Sequence, residues 1–194
     1  MGKYKKKIAI KKQTQMKNIL LTLFILTTLS CKAQLTVYNI DTPPEDRTVT
    51  DNYYYKDIDN HHDAIVGVWK WEEDNTSFEM TLQQFEQYND PITPNIFGDK
   101  IFGKYIYIEN GQTIVNITEV ETFVNLKIYL GFRSPTEYAV VIKDPISDTN
   151  KVGEFILTSP TTATMRLWDS EGVKINYGNG QPWALPTYFE LTKQ

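Results

Sequence analysis

A chain of 194 residues has room for one domain, and its 41% hydrophobic and 13% aromatic content excludes a disordered polymer. Charge is divided unevenly: Lys3, Lys5, Lys6, Lys7, Lys11, Lys12 and Lys17 precede residue 31, whereas all 24 acidic residues follow it. From Cys31 onward the formal charge is −11, against −4 for the whole chain, and an anionic domain repels phosphate backbones, so nucleic acid is not an expected partner.

Residues 19–29 read ILLTLFILTTL, an uncharged run preceded by Lys17 and the earlier lysines. That is the pattern of a signal peptide, and it is too short for the ~20 residues a spanning helix needs. Export and removal of residues 1–30 are therefore expected. Met16 begins a complete signal by itself, so residues 1–15 read as an extension from an upstream start. The following Thr28-Leu29-Ser30-Cys31 resembles a bacterial lipobox, although the usual leucine three places before the cysteine is Thr28 here. The resemblance implies diacylglycerol on the Cys31 sulfur, cleavage after Ser30 and acylation of the new amine, and two or three acyl chains anchor stably where one does not. A cut after Ala33, leaving a soluble protein that begins at Gln34, is the competing reading. Cys31 is the only cysteine, so the chain has no intramolecular disulfide and no downstream catalytic thiol.

Residues 31–63 read as the lipidated cysteine and a tether, with one short strand over Leu35–Ile40 and a breaker-rich Asp41 to Asp46 stretch. From Ala64 to the end the period is two, which defines a β-domain over 64–194. Ile65, Gly67, Trp69 and Trp71 share one strand face, and Phe78, Met80 and Leu82 alternate with polar residues. Thr81–Tyr88 is readable as a helix or as more of that strand. Two strands flank Asn110-Gly111, the dipeptide that type I′ hairpin turns require. Val124 to Leu130, Tyr138 to Ile142, Phe155 to Leu157, Met165 to Leu167 and Tyr188 to Leu191 follow, separated by Pro135, Asp144-Pro145, Ser159-Pro160, Glu171-Gly172 and Gly178-Asn179-Gly180. The expectation is an all-β, antiparallel up-and-down barrel or sandwich of about eight or nine strands.

Gly67-Val68-Trp69 resembles the glycine-x-tryptophan of lipocalins and related calycins, whose tryptophan closes one barrel end. The resemblance implies a basic partner on a late strand, and Arg166 is the expected one, pairing with Trp69 through a cation–π contact. The wider layout is similar to small uncharacterised lipoproteins of flavobacteria and other Bacteroidota. It rests on the signal ending SCKAQ (30–34), IVGVW (65–69), GKYIYIENG (103–111) and LPTYFELTK (185–193), and it brings no activity with it.

Chemistry-bearing motifs are weak. His61-His62-Asp63 holds the only two histidines and reads as solvated linker, lacking the three-ligand spacing of zinc sites. Asp57, Asp59, Asn60 and Asp63 have calcium-like spacing without the central glycine and terminal glutamate of an EF-hand. Glu72-Glu73-Asp74 reads as turn solvation; a glycosidase needs two carboxylates across a cleft. No Gly-x-Ser-x-Gly, P-loop or Gly-x-Gly-x-x-Gly occurs. No catalytic, metal or cofactor residue is therefore expected, and no enzyme. The expected function is binding or interaction by a lipid-anchored barrel on the periplasmic side of the outer membrane, with a small apolar ligand or a protein as partner. The alternatives are an envelope accessory protein without a pocket and a hydrolase with an unrecognised site.

Overall fold

The computed structural model describes residues 35–44, 52–89, 91, 93, 95–120, 126–169 and 178–194. The signal segment, Ser30, Cys31, Ala33 and Gln34 lie outside them, as do Val124 and the Glu171-Gly172 turn.

Eleven strands are described, with one 3-10 turn over His61–Ala64. They are β1 (Thr36–Asn39), β2 (Tyr53–Lys56), β3 (Gly67–Glu73), β4 (Thr76–Asn89), β5 (Ile96–Glu109) and β6 (Gln112–Asn116). Then come β7 (Ile128–Ser134), β8 (Glu137–Asp144), β9 (Thr149–Ser159), β10 (Thr162–Trp168) and β11 (Tyr188–Lys193). Eight of these, β3, β4, β5 and β7 to β11, close an antiparallel barrel, with β11 returning to β3 through Thr192 opposite Lys70 and Lys193 opposite Trp69. The all-β barrel expectation holds. Among the described residues no helix is long and apolar enough to cross a membrane.

Period two explains which side chains fill the barrel. Phe78, Met80 and Leu82 of β4, Tyr138, Val140 and Ile142 of β8, Met165 of β10 and Phe189 and Leu191 of β11 are buried at successive inward positions. Aromatic rings occupy the lumen: Trp69 meets Phe155 edge-on at 5.2 Å between centroids, and Phe78 lies 4.5 Å from Phe189. Small barrels either fill this space or enclose a ligand. This one is filled.

Two details depart from a plain meander. Thr81–Tyr88 continues as strand, since β4 runs to Asn89 with a bulge between Phe85 and Tyr88 and a positive φ of 48° at Gln87. The Asn110-Gly111 turn forms as expected, with φ of 51° and 75°. Its second strand, β6, pairs with the end of β5 only, and β7 takes the neighbouring place in the wall through Ile101–Leu130, Phe102–Tyr129 and Gly103–Ile128. Gly103 permits this close approach, because a Cβ there would stand 2.9 Å from the Thr81 carbonyl oxygen and 2.7 Å from Leu82.

The tether expected over 31–63 is corrected from Thr36 onward. The compact unit spans Thr36–Gln194, and β1 and β2 extend the sheet as parallel strands beside the start of β5. Tyr53 and Tyr54 are buried, and Tyr38 packs on Tyr53 and Tyr55 at 5.5 and 6.1 Å. A strand of four residues is too short to show a period against its aspartate-rich flanks, which is why it reads as linker.

Candidate functional site

One end of the barrel gathers the starts of β3, β5 and β8 with the ends of β4, β7 and β11. Here β5 parts from β7: residues 101–103 pair with β7, whereas Ile96–Gly98 pair with β2. The strands diverge and leave a cleft of about 330 Å³ in the flank, outside the filled lumen. Ile40, Ile96, Leu130 and Phe132 give it apolar walls, and Tyr55, Asp99, Lys100 and Tyr129 give it polar ones. Lys100 Nζ stands 6.0 Å from the Tyr129 ring centroid.

Asp99 is the organising residue of this end. It is buried, and its carboxylate accepts from the Tyr54 hydroxyl at 2.6 Å, the Asp57 N–H at 2.9 Å and the Gln87 N–H at 3.0 Å. It thus ties β2, the segment after β2 and the β4 bulge to β5. Burial first, and then the Asp99 carboxylate, push the Tyr54 phenol above the ordinary tyrosine range, so Tyr54 stays a donor. Asp57 repeats the device one step on: its two oxygens accept from the His61 and His62 N–H groups at 2.9 and 2.7 Å, capping the 3-10 turn.

The solvated-linker reading of His61 and His62 is corrected by this geometry. His62 is 1% exposed, with ring contacts to Phe132 at 6.2 Å and Tyr138 at 6.0 Å. Burial pulls its pKa below the ordinary histidine value, so the folded state holds it neutral. His61 stands at the surface, stacked on Phe132 at 5.6 Å, with Nε2 2.7 Å from Asp41 Oδ2 and 4.0 Å from Asp59 Oδ2. The calcium-like set does not converge as one loop, because Asp57 is buried as a turn cap while Asp59 is exposed and bonded to the Asn39 amide at 2.7 Å.

The barrel-closing pair is also corrected. Trp69 is fully buried, and its indole N–H donates to the Ile65 carbonyl at 2.7 Å. The cation over its ring is Lys193, at 5.6 Å, which also donates to the Asp63 and Ala64 carbonyls at 3.2 and 2.8 Å. Arg166 lies between inward Met165 and Leu167, so it points outward and stacks on Tyr188 at 5.5 Å.

At the opposite end, a surface hollow of about 670 Å³ includes Glu73 and Asp74 of the acidic cluster. Both come from one strand end and turn, so they do not face each other across a cleft. Asp144, fully buried, accepts from Ser147 Oγ and from the N–H groups of Ile146 and Ala184 at 2.8, 2.8 and 2.9 Å, which ties the turn after β8 to Ala184.

Sequence reasoning missed Tyr55, Asp99, Lys100 and Tyr129 as a group, since they come from three strands with no shared spacing. No curated protein and no solved structure matches the chain. A family model described as a family of unknown function, DUF6705, matches residues 16–194, and the chain belongs to that family.

Proposed function

We propose that this protein is a non-enzymatic binding module held at the cell envelope by lipid on Cys31, on the periplasmic side of the outer membrane, with its ligand site in the flank cleft. The observation that supports a flank site is the filled lumen beside a cleft of about 330 Å³. Ligand pockets commonly start near this volume. The lining is half polar, so the ligand is an amphipathic molecule rather than the purely apolar one that a hollow barrel implies. Asp99 already serves three donors, which leaves Lys100 as the lining charge that an incoming anion meets. The accessory reading, a protein acting through its outer surface alone, draws support from the same filled lumen but leaves the cleft unused.

Because β1 starts at Thr36, lipid on Cys31 leaves five Cα steps before the first strand. Fully extended, that is roughly 18 Å. That length is the upper bound on the link between the lipidated sulfur and Thr36.

A suitable probe is 8-anilinonaphthalene-1-sulfonate, which combines flat rings with one anionic group. Saturable binding to the folded protein is expected. Gly131→Leu places a side chain beside the Tyr129 hydroxyl, which lies 3.3 Å from the Cβ position, and Lys100→Glu reverses the charge. Each is expected to weaken the probe about tenfold or more, which is about 1.4 kcal/mol. Equal binding by both variants and the parent protein contradicts the cleft and leaves the accessory reading.

A further inference from the structure

We infer that Asp41, Asp59 and His61 form a binding site for a divalent transition-metal ion of the zinc or manganese class. Their ligand atoms lie within 4.8 Å of one another, at the rim of the cleft end but outside its lining, so the inference is independent of the ligand and the anchor.

Two carboxylate oxygens converge on a single imidazole nitrogen: Asp41 Oδ2 at 2.7 Å and Asp59 Oδ2 at 4.0 Å from His61 Nε2. One N–H can serve only one of them. A cation bound to the unprotonated nitrogen serves both, and one imidazole with two carboxylates is a donor set that zinc and manganese accept, with positions left for water. The ligands are held from behind as metal ligands commonly are. The Asn39 amide donates to Asp59 Oδ2 at 2.7 Å, and Phe132 fixes the His61 ring plane by stacking at 23°.

A second observation comes from beneath the set. Tyr138 is fully buried, its ring lies edge-on to Phe132 at 5.6 Å, and its hydroxyl has no hydrogen-bond partner among the described residues. Its ring meets Phe132, the same ring on which His61 stacks, so Tyr138 lies beneath this rim. A buried polar atom without a partner is uncommon enough to require a cause, and bound cation with its water shell supplies one. The ion would pin the segment after β1, through Asp41, to the turn that follows β2.

The test uses the full chain purified in detergent, stripped with EDTA and titrated separately with ZnCl₂ and MnCl₂. One ion per chain is expected, with a rise in Tm of about 5–10 °C at a hundredfold excess over Kd. MnCl₂ should broaden the backbone NMR signals of residues 39–41 and 59–63 ahead of others. Asp59→Asn, at an exposed position, should weaken binding at least tenfold, and His61→Gln should abolish it. Binding that is unchanged in both variants, or no response to either ion, overturns the assignment.

Discussion

Asp99→Ala is expected to cost about 3–5 kcal/mol, roughly 10 °C in Tm, although it removes one small charged side chain. Its carboxylate satisfies three donors at a buried position: the Tyr54 hydroxyl, the Asp57 N–H and the Gln87 N–H. Alanine strands all three, and each buried donor left without an acceptor costs about 1–3 kcal/mol. The damage spreads, because Asp57 is held by Asp99 and itself caps the turn carrying His61 and His62. Asp99→Asn keeps the volume and one acceptor oxygen but turns an NH₂ toward a donor, so it should lose about half as much. Urea denaturation followed by tryptophan fluorescence measures both. Equal stability of Asp99→Ala and the parent would mean that this end of the barrel does not depend on the carboxylate.

Trp69→Ala is expected to cost about 3–5 kcal/mol, the range for emptying a buried aromatic position. The ring is fully buried against Phe155, and its N–H is bonded to the Ile65 carbonyl, so the substitution opens a cavity and frees a buried acceptor together. The cation above the ring separates two readings of the closure. Lys193→Met removes the contact at 5.6 Å and two hydrogen bonds to the carbonyls of Asp63 and Ala64, and should cost about 1–2 kcal/mol. Arg166→Met acts on an outward stack with Tyr188 and should stay within about 0.5 kcal/mol. The reverse order would restore Arg166 as the closing residue.

Much of the barrel was legible because period-two alternation states which side chains share a face, and Asn110-Gly111 dictates its own turn. Parity also separates the two cations: Arg166 falls between inward Met165 and Leu167, whereas Lys193 shares its parity with Phe189 and Leu191. The exit of β6 from the wall is not written in its residues, since β6 and β7 alternate alike and the choice between them is a tertiary one. The buried aspartates are harder still. Asp57 and Asp99 look like surface residues in a sequence, and only the backbone N–H groups folded around them reveal their role. The cleft and its rim draw on residues 40–41, 55, 59–61, 99–100 and 129–132, and no spacing rule connects those places.

Location is the central claim of the proposed function, and intact-mass measurement of protein extracted from membranes tests it most directly. The account predicts a polypeptide that begins at Cys31 and carries the added mass of a diacylglyceryl group and an acyl chain. An unmodified chain beginning at Gln34, or a full-length precursor, would contradict it.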